Sequence, residues 1–290
     1  VARSEREARA ARDCRAGDRR ERQAVRRHAE RPRLPVANVA VVTGASSGIG
    51  AAIARALAAG DHRCILVARR QDRLRELADE IGGDYEVCDV ADVRDVERMS
   101  AAVRERYPAV HLLVNNAGIP GRAGFTNIDE QRLEHVLRVN YLGSVWCVRF
   151  LLPALEAANG ADIVNIVSVA GTVAFPPSGP YSASKHAQLA FSRAITAELH
   201  PRGIRVHTVN PGFVETEGFP QRALLRNPIL RHVVVTPDDV ARHVLRVLEH
   251  NRRETFVPSW YRLAMLAQAL APSLVARAVS RMATRPTIGA

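Results

Sequence analysis

"VANVAVVTGASSGIGAAIARALAAG", residues 36–60, passes from a short apolar run through a glycine- and serine-rich turn into Ala, Ile and Leu at helical spacing. Strand, turn and helix are predicted in that order. Gly44, Gly48 and Gly50 form a GxxxGxG pattern. In such a turn one glycine permits the reversal, one lets a pyrophosphate approach the backbone, and one lets helix and strand pack closely. Phosphates are favoured at the helix N-terminus, where free N–H groups and the helix dipole attract negative charge. A plain strand-to-helix turn also uses glycine, so the surrounding pattern has to separate the two readings.

That pattern is a sustained alternation. Apolar runs at 64–68 (CILVA), 85–88 (YEVC), 111–115 (HLLVN), 162–168 (DIVNIVS), 204–210 (IRVHTVN) and 255–257 (TFV) alternate with helix-period segments such as 71–81 and 90–107. Parallel strands need crossovers of this length. The prediction is an α/β fold, a doubly wound parallel sheet forming one domain over 36–290.

The chain has 290 residues, 47% of them hydrophobic, and a formal net charge of +11. Residues 1–35 alone carry twelve Arg against six Asp or Glu, with almost no apolar side chain larger than Ala. This arginine-rich N-terminal extension has little to bury and is expected to be disordered or a solvated helix. A charge run by itself is a weak signal for nucleic acid, so no specific nucleic-acid partner is assigned. Cys14, Cys64, Cys88 and Cys147 are widely spaced without a CxxC pair, which suits reduced thiols better than disulfides or a metal site. No run approaches the roughly 20 apolar residues of a membrane span, and the cytoplasm is the default location.

Two further stretches speak about chemistry. At the end of the second predicted strand stand Arg69 and Arg70, where an acid would accept hydrogen bonds from an adenosine ribose. Arginine there suits a 2′-phosphate, favouring NADP(H) over NAD(H). The second stretch is YSASK, 181–185, which contains the single lysine among 41 basic residues. Tyr181 and Lys185 are four apart, one turn along a helix face. A tyrosine with its usual pKa near 10 transfers protons poorly at neutral pH, and a neighbouring ammonium and a cationic nicotinamide are both expected to lower that value. Arginine is wider and cannot lose its proton, which accounts for lysine surviving here.

The sequence resembles the short-chain dehydrogenase/reductase family through TGASSGIG (43–50), NNAG (115–118), the asparagine of LRVNYLGS, the serine ending IVNIVS, YSASK, and NPGFVET (210–216). The resemblance implies a Rossmann-type fold and an oxidoreductase interconverting secondary alcohols and carbonyls. It implies Tyr181 as general acid/base, Lys185 as its electrostatic partner and ribose ligand, Ser168 as the hydroxyl polarising the carbonyl, and Asn140 as organiser of a proton-relay water. For the cofactor it implies Gly44, Ser46, Ser47, Gly48, Ile49 and Gly50 around the pyrophosphate, and Arg69, Asp89 and Val90 around the adenosine. Asn116, Ala117 and Gly118 would line the ribose region, and Pro211, Gly212 and Thr216 the nicotinamide. A homodimer or homotetramer is implied as well. A catalytically silent NAD(P) sensor of the same fold is the alternative, and the intact Asn140, Ser168, Tyr181, Lys185 set argues against it.

Val173, Phe175, Phe213 and Phe219, in segments expected to wall the pocket, suggest a small apolar substrate. The C-terminal apolar segment, 258–282, is compatible with added core packing, a pocket cover, a subunit contact or an interfacial membrane helix. Pro272 interrupts it and its cationic residues are sparse, which weighs against the membrane reading.

Overall fold

The apolar run after Ala37 becomes strand β1 (Asn38–Thr43), buried from its second residue, and turns through Gly44 into helix α1 (Gly48–Ala59). The computed structural model describes residues 38–121, 124–174, 176–226 and 230–283. The N-terminal extension, Cys14 and Phe175 lie outside the described residues.

Strands β2 (His62–Ala68), β3 (Asp84–Val87), β4 (Leu112–Asn115), β5 (Asp162–Ile166) and β6 (Arg205–Pro211) follow. Their crossovers are α2 (Gln71–Ile81), α3 (Val93–Arg106), α4 (Glu130–Leu137) running into α5 (Gly143–Ala157), and α6 (Gly179–Leu199). After β6 come a two-residue pair, β7 (Phe213–Val214) and β8 (Val234–Val235), the short α7 (Arg222–Arg226), α8 (Pro237–Glu249) and β9 (Glu254–Val257). The main sheet among the described residues has the order β3-β2-β1-β4-β5-β6-β9, every pairing parallel.

Central strands covered on both faces need apolar side chains on both faces, and β1, β4 and β5 supply them. One face packs against α1, α2 and α8 through residues such as Leu57, Leu66 and Val244, the other against α3, α5 and α6 through Ile65, Leu113, Leu151 and Ile163. Burying each such Leu or Ile contributes about 1.5–3 kcal/mol relative to exposure. Three helices, α3, α4 and α8, start where short polar side chains satisfy free N–H groups. Asp92 accepts from Arg94 N, Asp129 from Arg132 N, and Thr236 with Asp239 forms a reciprocal capping box on α8.

Strand order turns outward in opposite directions from β1 and β4, so a crevice opens beyond their carboxyl ends. Several sequence-predicted boundaries shift by one to three residues. The consequential shift is in β5, which ends at Ile166, so Ser168 lies past the strand and caps a 3₁₀ turn (Val169–Gly171) through its Oγ, 3.1 Å from Ala170 N. Beyond β9 the chain adds Tyr261 to a small buried cluster with Val169 and Phe256, and Met265 packs partly against it. Helix α9 (Arg262–Leu270) contributes no buried residue, and α10 (Pro272–Ala283) leaves it at 115°.

Candidate active site

Thr43 fixes the floor of the crevice. Its Oγ1 accepts from the N–H groups of Asn116 (3.0 Å) and Ala117 (3.1 Å) and donates to Val114 O (3.2 Å), tying the end of β1 to the end of β4. Asn116 returns the link, donating from Nδ2 to Thr43 O at 3.0 Å. The glycine turn has no room for side chains. Gly44 has φ +66°, and a Cβ on Gly50 would stand 2.4 Å from Gly44 O and 2.5 Å from Asn116 Nδ2. Gly50→Ala therefore forces a backbone shift in the turn. We expect it to cost about 1–3 kcal/mol of stability, the usual toll of overpacking, and to weaken dinucleotide binding. Thermal denaturation with and without NADPH checks both, and an unchanged transition contradicts the geometry.

A cavity of 410 Å³ lies over this turn, its wall including Gly44, Ser47, Gly48, Ile49, Asn116, Gly118, Ser168, Tyr181, Lys185, Pro211, Gly212 and Thr216. Residues predicted from five separate motifs thus meet at one place. Of the others, Gly50, Ala117 and Asn140 stand beside or behind the wall and Ser46 beneath Arg70, while Arg69, Asp89 and Val90 sit at the β2–β3 edge. Among the expected apolar wall residues, Phe213 and Phe219 line the cavity, but Val173 is buried in the interior. Tyr261, which the sequence did not single out, joins them. Its ring fills the space a Cβ on Gly212 would take, 2.2 Å from that position.

The proton-transfer candidates converge through buried hydrogen bonds. A π-helical turn (Arg138–Leu142) between α4 and α5 sets Asn140 fully inside, accepting from Ile119 N (2.8 Å) and donating to Ile119 O (3.0 Å) and Ser184 Oγ (2.9 Å). Ser184 donates in turn to Tyr181 O at 2.7 Å. Tyr181 stands in the first turn of α6, half-buried in the cavity wall, its ring 5.5 Å from that of Phe219. Lys185, one turn on, is 3% exposed and donates to Ile166 O (3.0 Å) and to Gln188 Oε1 (2.7 Å). Gln188 donates to Ser144 Oγ at 2.9 Å, so a glutamine with no recognisable motif anchors the lysine head.

The sequence reading has the ammonium and a cationic nicotinamide lower the tyrosine, and in the protein alone burial acts against it. Burial pushes Tyr181 up to about 12, with a hydrogen bond to Ser168 pulling the other way. Burial also pulls Lys185 down to about 7. Its Nζ lies 6.0 Å from the Tyr181 ring centroid, and both its hydrogen bonds go elsewhere. Removal from water therefore outweighs their mutual effect. The sign for stability follows. Between about pH 7 and the ordinary lysine value of 10.5 the unfolded chain holds a proton the folded chain does not, so this group's contribution to stability is lowest below pH 7 and rises across that window. Lys185→Met is expected to raise the melting temperature over the parent more near pH 6 than near pH 10. An equal gain at both ends contradicts a lysine depressed by burial.

The two arginines after β2 separate, because successive residues leaving a strand point to opposite sides. Arg69 faces Asp89, Nη1 to Oδ2 at 3.7 Å. Arg70 reaches back over the glycine turn and donates to Ser46 Oγ (3.1 and 3.2 Å) and Ser47 Oγ (2.6 Å). The sequence placed phosphate recognition on Arg69, but the guanidinium over the turn belongs to Arg70. Arg70 and Arg73 also hold the carboxylate of Glu217 at 3.1–3.2 Å, an acid the sequence did not flag. Asp89 accepts from Ala91 N at 3.0 Å, so it shapes its own turn as well as facing Arg69.

The cysteines outside the extension carry no chemistry here. Cys64, Cys88 and Cys147 are buried free thiols, and burial raises all three, Cys64 and Cys88 to about 12.

This chain belongs to the short-chain dehydrogenases: residues 38–223 match the short chain dehydrogenase family model. It is an oxidoreductase by family, with the Rossmann-like nucleotide-binding fold. It is 41% identical over 186 residues to a putative ketoacyl reductase of Streptomyces coelicolor, covering 61% of this chain and 71% of that protein. An alcohol dehydrogenase of the archaeon Thermococcus sibiricus, solved with 5-hydroxy-NADP, superposes with a TM-score of 0.67 at 31% identity, over 76% of this chain and 95% of that one. A short-chain dehydrogenase/reductase of Burkholderia phymatum, solved with NAD, gives 0.72 at 26% identity, over 82% and 94%.

The residues present fit a dinucleotide. The side-chain-free cradle at Gly44, Gly48 and Gly50 leaves space at the start of α1, Thr216 closes it within 3.1 Å of where a Gly48 Cβ would stand, and a buried lysine faces Gly118.

Proposed function

We propose that this chain interconverts a secondary alcohol and a carbonyl compound, prefers NADP(H), and takes an apolar substrate. The observation that carries this reading is the meeting of Ser168, Tyr181 and Lys185 in the same cavity wall as the glycine cradle. When bound, the nicotinamide exchanges the reducing equivalent with the substrate carbon. The chain's own residues handle the oxygen. Ser168 Oγ, anchored between Ala170 N (3.1 Å) and Pro211 O (3.4 Å), is the hydroxyl that polarises the carbonyl. Tyr181, raised by burial, keeps its proton at neutral pH and is poised to donate it to the oxygen as negative charge develops. Asn140 holds the Ile119 backbone and Ser184 in register behind it, and Lys185 is the group that binds ribose hydroxyls. Phe213, Phe219 and Tyr261 give the substrate end its apolar walls.

The cofactor preference rests on Arg70 with Arg73, a paired cationic site beside Ser46 and Ser47 in which Glu217 now supplies the anion. A 2′-phosphate carries more charge than one carboxylate and is the stronger partner for two guanidinium groups. Charged hydrogen bonds contribute about 1.5–3 kcal/mol. Arg70→Asp should therefore lower the ratio of kcat/KM for NADPH over NADH on the order of 10- to 100-fold, and Arg69→Asp by less. Steady-state kinetics with both cofactors and a panel of apolar ketones test it. A parent enzyme that uses NADH as well as NADPH, or a ratio unmoved by either substitution, overturns the preference.

A further inference from the structure

The segment after β9 turns an apolar face away from the protein. On α9, Leu263, Leu266, Ala267 and Leu270 follow i, i+3, i+4, i+7 spacing, and the three leucines are 66%, 40% and 84% exposed. Pro272 starts α10, and Leu274, 63% exposed, continues the patch. The proline that argued against a membrane helix in the sequence gives two short helices at 115° and leaves the leucine stripe uncovered. Among the described residues no single helix is long and apolar enough to cross a bilayer, and the two helices that together have that length and composition are bent by 115°.

Charge identifies the occupant. No Asp or Glu follows Glu254, while Arg262, Arg277, Arg281 and Arg285 do. Arg262 borders the α9 stripe, and Arg277 and Arg281, three and seven residues after Leu274, share its side of α10. A symmetric contact with a second copy sets each patch against itself and gathers the arginines of both copies with no carboxylate side chain of the segment to meet them. An anionic bilayer surface accepts both features, leucines into the acyl boundary and guanidinium groups at the phosphates.

We propose that α9 and α10 dock this protein peripherally on anionic lipid membranes, with Leu263, Leu266, Leu270 and Leu274 inserted and Arg262 and Arg277 at the headgroups. The patch is continuous with the cavity. Trp260 stacks on Tyr261 at 4.0 Å, and Tyr261 stands both in the cavity wall and at the start of α9. Docking thus sets the apolar end of the cavity toward the bilayer, where an apolar substrate accumulates. That last step rests on the proposed function, whereas the docking does not.

The test is co-sedimentation of the full chain with phosphatidylcholine vesicles, with and without phosphatidylglycerol, at low and high salt. We expect binding to the anionic vesicles that salt weakens. The substitution set Leu263→Ser, Leu266→Ser and Leu270→Ser should reduce it at least about tenfold. Arg262→Glu with Arg277→Glu should reduce it similarly, each arginine being worth about fivefold near a charged surface. All are exposed side chains, and an unchanged thermal transition with retained ketone reduction verifies each variant. Absence of binding to anionic vesicles, or binding indifferent to both sets, overturns the proposal. So does a dimer in solution that the serine set dissociates while vesicle binding is absent. Loss of reduction in the parent with vesicle binding intact would instead refute the catalytic reading alone.

Discussion

Lys185→Arg is expected to fold, to bind NADPH at least weakly, and to lose turnover on the order of 100-fold. The substitution keeps the positive charge, so a lysine acting through charge alone would leave the rate near that of the parent. The site leaves no slack for a larger head. Nζ is 3.0 Å from Ile166 O and 2.7 Å from Gln188 Oε1, and the residue is 3% exposed. A planar fork with five donors does not fit a pocket shaped for a compact ammonium, and a shift of about 1 Å in a positioning contact costs on the order of 100-fold in rate. Near-parent turnover, measured under saturating NADPH across pH, means that shape at this position is irrelevant. Lysine's survival in a chain whose other 40 basic residues are arginine would then have no catalytic explanation.

Tyr181→Phe is expected to lower kcat about 10²- to 10⁴-fold, the range a positioned acid supplies, while cofactor affinity and melting temperature change little. The ring keeps its packing against Phe219 at 5.5 Å, and the backbone carbonyl still accepts from Ser184 at 2.7 Å. Only the hydroxyl is lost. Steady-state kinetics together with quenching of intrinsic fluorescence by NADPH separate the two effects. A variant that loses affinity in proportion to turnover would make the hydroxyl a binding group instead of the acid.

The sheet was legible because parallel strands buried on both faces read as unbroken apolar runs, and because helix-period segments of crossover length stand between them. α2 was found at its true limits, Gln71–Ile81, since Leu74, Leu77 and Ala78 mark one buried face. Boundaries next to the site were harder to read. Val167 is buried like Ile166 before it, so hydrophobicity gives no sign that the strand has ended and that Ser168 begins a capped turn. Tyr181 and Lys185 were visible because their spacing is local, whereas Ser168 and Asn140 were marked only by the resemblance. What pairs with them is not local. Gln188 and Ser144 meet 44 residues apart, and Arg70 and Glu217 147 apart, where only the fold brings charges and amides together. Tyr181 and Lys185 showed the same limit in energy: their spacing revealed the pair, while the burial that pushes both toward neutrality depends on everything packed around them. At the C-terminus the sequence permitted core packing, and only the structure showed that α9 buries none of its residues.

The most direct test of the central claim is a single-turnover experiment in which the protein, preloaded with NADPH, is mixed rapidly with a series of apolar ketones while the cofactor's absorbance is followed. The account predicts that at least one ketone is reduced by the parent, with one NADPH consumed per site, and that Tyr181→Phe binds NADPH equally but leaves it unoxidised on that timescale. A parent protein that binds NADPH and oxidises none of it with any ketone, or a Tyr181→Phe variant as fast as the parent, would contradict it.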